Sequence, residues 1–280
     1  MHRTALIAFA TLALLTASCN RDRAEESKPA DHSGHPETVT TSTPAVQHFA
    51  GHGMPVTFGE ASGYLGGPTD PSKKKPGIIV IQEWWGMDDW VKQQTDRFAG
   101  QGYVALAVDL YRGKSTKSMD EAHELSRGLP EDRALADLKA GIDFLAARPD
   151  VDPNAIGVIG WCMGGGYALK LATQEPRLKA TVINYGSLIT DHSTIAKIDS
   201  RVLGNFGGAD RGIPADDVKK FGQTLTAAGK LGDIKVYEGA GHAFMNPNNT
   251  QGYDAAAAQD AWKRIDGFFD RTLRANIPSS

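Results

Sequence analysis

Cysteine is nearly absent from this chain: only Cys19 and Cys162 occur among 280 residues. A fold stapled by disulfides would carry more, so the core has to come from apolar burial. A basic excess is also missing. Lys and Arg total 30 against 33 Asp and Glu, for a net charge of -3, which argues against electrostatic recognition of nucleic acid. There is no internal repeat, which excludes solenoids and propellers. His32, His35, His48 and His52 lie in or just after polar linker sequence at irregular spacing. They form no ligand set, so no metal site is expected, and no organic cofactor is implied.

What the chain does have begins with a targeting segment. His2 and Arg3 form a short positive region, followed by the apolar run Ala5 to Leu15. That run has the length of a signal-peptide core and is too short to cross a bilayer as a mature helix. Leu14-Leu15-Thr16-Ala17-Ser18-Cys19 resembles a bacterial lipobox, with Thr16 where Leu is usual. Ordinary signal cleavage after Ser18 is the alternative, and either route leaves Cys19 at the head of the mature chain. Residues 1–18 are therefore read as signal peptide and 19–53 as a flexible polar tether with Cys19 as lipid attachment point. The expected location is the bacterial cell envelope or periplasm, with membrane contact through the lipid on Cys19. The tether is rich in Ser, Thr, Pro and charge and cannot bury a core.

Residues 54–275 read as one folded domain, expected to be a monomer. Pro55 to Phe58 and Glu60 to Leu65 suit an N-terminal hairpin. Gly77 to Ile81, Tyr103 to Leu110, Ala155 to Ile159, Ala180 to Asn184, Arg201 to Phe206 and Asp233 to Glu238 are apolar runs fit for buried strands. Helical spacing lies between them. Leu135, Leu138, Ile142 and Leu145 share one face of a helix over 131–147, and Trp262, Ile265, Phe268 and Phe269 share one face of a closing helix over 254–273. Alternating strands and helices predict an α/β fold: a mostly parallel, doubly wound sheet with helices on both faces. Ligand sites in such sheets lie beyond the C-terminal strand ends. Glu83, Arg112, Cys162, Tyr185, Asp210 and His242 all follow strands directly.

The most informative stretch is Ala155 to Ala172. An apolar run leads into Gly160-Trp161-Cys162-Met163-Gly164-Gly165-Gly166 and then into helical sequence. This resembles the strand-turn-helix nucleophile elbow of α/β-hydrolases, with Cys where Ser is usual. Side chains two residues before and after the nucleophile would collide, so Gly160 and Gly164 keep that space open. At a helix N-terminus, backbone N–H groups favour a thiolate and an oxyanion. The chain order Cys162, Asp210, His242 is nucleophile, acid and base in the order of that superfamily.

Together with Gln82-Glu83, Asp109-Leu110-Tyr111, Gly207-Gly208-Ala209-Asp210 and Gly241-His242-Ala243-Phe244, the elbow makes residues 54–273 similar to the dienelactone hydrolase family. The resemblance implies a Cys162–Asp210–His242 triad, with Glu83 beside the thiol. It implies an oxyanion hole from the backbone N–H groups of Met163 and Trp84, and a small ester or lactone as substrate, cleaved through a cysteine acyl-enzyme. Arg112, Trp85, Tyr185, Phe244 and Asn246 are the candidate substrate-binding residues. Two positions depart from the family. Asn246 stands where an Arg is expected to pair with a substrate carboxylate, and Arg112 is displaced by one residue from the second such position. Thioesterase-type acyl hydrolysis is a close alternative. A non-catalytic protein holding a small ligand in an aromatic cleft near Trp84, Trp85 and Trp161 is the alternative of a different class.

Overall fold

A computed structural model describes residues 53–67 and 72–275. The expected signal segment, the tether and Cys19 lie outside the described residues. Eight strands form one sheet: β1 (Met54–Phe58), β2 (Ala61–Gly66), β3 (Lys75–Ile81), β4 (Val104–Val108), β5 (Val151–Trp161), β6 (Leu178–Asn184), β7 (Arg201–Gly207) and β8 (Gly232–Tyr237). Their spatial order is β1-β2-β4-β3-β5-β6-β7-β8. The first two pair antiparallel with each other, and β2 pairs antiparallel with β4. All remaining pairings are parallel. The expected hairpin and the expected parallel sheet are both present.

The helices are α1 (Asp89–Gly100), α2 (Met119–Arg127), α3 (Glu131–Ala146), α4 (Met163–Ala172), α5 (His192–Ile195), α6 (Ala215–Ala227) and α7 (Ala255–Phe269), the last continuing as a π-helical turn, Asp270–Arg274. They cover both faces because the central strands are apolar on both. Along β3, Ile79 and Ile81 join the core under α3, α4 and α6, while Ile78 and Val80 join the core under α1 and α7. Successive strand side chains point to opposite faces, so a continuous Ile-Ile-Val-Ile run can serve both layers. The predicted face of α3 is buried through Leu135, Leu138, Ile142 and Leu145, and Ile265, Phe268 and Phe269 of α7 are buried likewise.

Several boundaries differ from expectation. The elbow strand starts at Val151 rather than Ala155 and includes Pro153. The register of β5 against β3 shifts between Lys75 and Gly77, which lets proline sit outside the regular ladder. The short helix α5 was not expected. It depends on Asp191, whose side chain accepts from the Thr194 N–H, a cap too local to give a periodic signal.

Register is what brings the strand ends level. Ile81 lies opposite Gly160, and Gly160 opposite Ile183. Beyond the ladder the Cys162 N–H donates to the Asn184 carbonyl at 3.0 Å, and the Tyr185 N–H to the Asn205 carbonyl at 2.8 Å. Buried side-chain amides reinforce this end of the sheet. Asn184 Nδ2 donates to the Gly160 carbonyl at 3.2 Å, and Asn205 Nδ2 to Asn184 Oδ1 at 2.8 Å. The Arg264 guanidinium from α7 bonds Asn205 in turn. Residues following β3, β5 and β6 are thereby held along one edge.

Candidate active site

Cys162 sits between β5 and α4 with φ 53 and ψ -118, a region that non-glycine residues rarely occupy. The turn is tight enough to explain its glycines. A Cβ on Gly160 would collide with the Gly164 carbonyl, and a Cβ on Gly164 would collide with the carbonyls of Ile81 and Gln82. Among the described residues, the other non-glycine residues with positive φ are Arg112, Tyr185 and Ala243. Cys162, Tyr185 and Ala243 belong to the same strand-end cluster, so backbone strain concentrates where the candidate side chains are aimed.

The acid and the histidine meet. Asp210 follows β7 and is buried. Its Oδ1 accepts from the backbone N–H groups of Gly212 at 2.8 Å and Ile213 at 3.2 Å. Its Oδ2 lies 2.6 Å from His242 Nδ1. A carboxylate fixed by two amides presents one oxygen to the imidazole, so Nδ1 carries the proton and Nε2 is the free acceptor. The His242 side chain remains 41% exposed while that of Asp210 is 3% exposed, so the acid is shielded from solvent and the imidazole is not. The Tyr185 ring packs against His242 with centroids 5.3 Å apart, and against Phe244 at 5.5 Å.

Glu83, directly after β3, is 2% exposed. Its Oε2 accepts from Asn246 Nδ2 at 2.8 Å, and its Oε1 has no hydrogen-bond partner. Burial pushes this carboxyl up to about 7; the Asn246 amide opposes the rise and the nearby Asp88 charge adds to it. Cys162 is half-buried by surface. Burial of its sulfur, then the charge of Glu83, push the thiol up to about 12, while the backbone N–H groups of Met163 and Trp84 lower it. The helix N-terminus was expected to favour a thiolate. Desolvation and the carboxyl outweigh it and favour the protonated thiol. The Met163 and Trp84 N–H groups, the candidate oxyanion donors, both act on the sulfur in the direction that favours negative charge there.

The substrate-binding candidates fare differently. Trp85 is half-buried and packs edge-on against Trp84, with centroids 5.0 Å apart. Tyr185 and Phe244 are fully buried and form the packing behind His242 instead of an open surface. The Arg112 guanidinium is engaged elsewhere: it bonds Asp137 of α3 at 2.8 Å and the Glu60 carbonyl. Glu60 lies at the turn of the β1–β2 hairpin, so these bonds tie the guanidinium to the hairpin and α3. Asn246 is 2% exposed and bound to Glu83. No sequence signal marked that contact, nor His123 on α2, whose ring lies 4.7 Å from Trp84. Both pairings join residues remote in sequence, and no local pattern announces them. Among the described residues no cluster of His, Cys, Asp and Glu is suited to a metal ion.

A mostly parallel sheet flanked by helices, with a strained residue on a glycine-lined turn between a central strand and its helix, makes this an α/β-hydrolase fold. Residues 61–273 match the dienelactone hydrolase family, and the chain belongs to that family of hydrolases. A Methylorubrum extorquens protein provisionally named a carboxymethylenebutenolidase is 34% identical over 208 residues, covering 69% of this chain and 71% of that protein. A crystal structure provisionally named a dienelactone hydrolase from Klebsiella pneumoniae superposes with TM-score 0.72 at 29% identity, covering 78% of this chain and 98% of that one. A dienelactone hydrolase-like promiscuous phosphotriesterase from metagenomic libraries superposes with TM-score 0.72 at 25% identity, covering 79% and 98%.

Proposed function

We propose that this hydrolase cleaves small, uncharged esters or lactones through an acyl-thioenzyme on Cys162. The observation that carries the reading is the position of the thiol. It stands on the strained elbow, where the Met163 and Trp84 N–H groups act on its sulfur, while Asp210, after β7, fixes the tautomer of His242, after β8, along the same edge of the sheet. In the first half-reaction the S–H proton passes to His242 Nε2, and the sulfur electron pair forms the bond to the acyl carbon. The carbonyl oxygen takes up negative charge against the two backbone donors. Collapse of the tetrahedral adduct breaks the C–O bond, and the leaving alkoxide takes the proton from His242. In a lactone that alkoxide stays tethered to the acyl group. Water then gives a proton to His242 and attacks the thioester, and the departing thiolate recovers the proton.

Preference for uncharged substrates follows from the two departures. Arg112 is committed to Asp137, and Asn246 is neutral and committed to Glu83. Neither offers a cationic fork to a substrate carboxylate. The test is an ester and lactone panel with neutral and carboxylate-bearing members, plus a phosphotriester, run on the wild type and Cys162→Ala. Turnover of neutral esters that disappears in Cys162→Ala supports the reading. Ester turnover that persists in the variant, or no turnover above background in the wild type, contradicts it.

We further propose that the protein is exported and tethered to the envelope through a lipid on Cys19. The support is the order of positive region, apolar run, small residues and Cys at the N-terminus.

A further inference from the structure

Glu83 and Asn246 are both buried, and the orientation of the amide between them is fixed. Asn246 Oδ1 accepts from the Asn248 backbone N–H at 2.9 Å, so the group turned to the carboxyl is the Nδ2 donor. That donor takes Oε2 at 2.8 Å and leaves Oε1 without a partner. The Tyr185 hydroxyl lies close enough to act on the same carboxyl but makes no aligned hydrogen bond. The remaining titratable neighbours are Cys162 from the elbow and Asp88 at the cap of α1. Asp210 acts on the thiol, and His242 packs on Tyr185. Among the described residues, no Lys or Arg ranks with these groups in its effect on Glu83 or on the thiol. One turn carries both functions: the Asn246 N–H donates to the Ala243 carbonyl at 3.2 Å, and Asn249 Nδ2 donates to the His242 carbonyl at 3.0 Å.

We infer that Asn246 is a positioning residue: as a neutral donor it fixes the Glu83 carboxyl beside Cys162 and sets the pH at which the thiol becomes reactive. This rests on Cys162 being the nucleophile. A hydrogen bond given to the ionised carboxyl stabilises that form without cancelling its charge. Above about pH 7 the thiol therefore faces a negative carboxylate, which adds to burial in holding the proton on sulfur. Below the pH at which Glu83 ionises, thiolate content rises steeply with pH. Above it, the new charge holds the proton on sulfur, and the curve breaks.

The experiment follows alkylation of Cys162 in the full-length protein by iodoacetamide from pH 5 to 10, read by peptide mass spectrometry. The wild type should show a break near the ionisation of Glu83, and Glu83→Gln should abolish it. Asn246→Leu, similar in size but without a donor, should move the break up by about one pH unit or more. Asn246→Ser, too short to reach the carboxyl, makes the same measurement if the leucine variant does not fold. An unmoved break, or a uniform change in rate at every pH, overturns the inference and leaves Asn246 a packing residue. Alkylation needs no turnover, so this outcome is separate from loss of the nucleophile assignment, which only persistent activity in Cys162→Ala would bring about.

Discussion

Asn246 holds Glu83 at 2.8 Å across 163 residues of sequence, and both side chains are buried. The contact joins the loop after β8 to the loop after β3. It also explains why a residue expected to face substrate is closed off from solvent.

Glu83 is an unfavourable charge to bury, and its cost depends on pH. Its folded pKa is raised from 4.5 to about 7. The folded state therefore keeps the proton over a range where the unfolded chain has lost it. Stability falls as pH rises from about 4.5 to 7 and is level above that. Glu83→Gln should stabilise the protein at pH 8 by on the order of 2–3 kcal/mol and by little at pH 4.5. Thermal unfolding of both proteins at the two pH values checks this; an equal difference at both would mean the carboxyl does not titrate there.

Substrate charge tests the two departures from the family. Carboxylate-bearing lactones should show no strong preference over neutral esters. Arg112→Met should leave the ratio of kcat/KM values within about twofold, since removing a group that does not touch substrate removes no transition-state contact. A hundredfold preference for the anionic lactone, lost in Arg112→Met, would place that guanidinium at the substrate despite its bond to Asp137.

The elbow glycines make a stability prediction. Gly164→Ala places a methyl against the backbone carbonyls of Ile81, the last residue of β3, and of Gln82, which follows it and is fully buried, so neither has room to yield. The cost should be about 3 kcal/mol or more, seen as a lowered Tm or as insoluble protein. A variant that melts with the wild type would show that the turn has more room than its geometry gives it.

Metabolic labelling with a fatty acid tests the anchor. The wild type should take up label, and Cys19→Ala should give an unlabelled species that is unprocessed or soluble. An unlabelled wild type leaves ordinary secretion.

The parallel sheet and the strand-end residues were legible because each strand is a continuous apolar run and each candidate follows one directly. Gly160 and Gly164 were legible for a local reason, a turn with no room for Cβ. The roles of Arg112 and Asn246 were not. Position after a strand says that a residue stands at the correct edge, but its direction depends on a partner elsewhere in the chain. Asp137 lies 25 residues from Arg112 and Glu83 lies 163 from Asn246. The state of the thiol was misjudged for a related reason. The helix N-terminus is visible in sequence and the resemblance places Glu83 beside the thiol, but how deeply both groups are buried, and so which effect wins, appears only once the chain is folded.

The most direct test of the account is kcat against one activated neutral ester for Cys162→Ala, His242→Ala, the double variant and Asp210→Asn. Each of the first two should lose at least about a thousandfold, with little added in the double variant, because nucleophile and base act as one unit. Asp210→Asn should lose less, since both reacting groups remain. Substantial turnover in Cys162→Ala would contradict the account, making the elbow a structural turn and placing the chemistry of this hydrolase elsewhere.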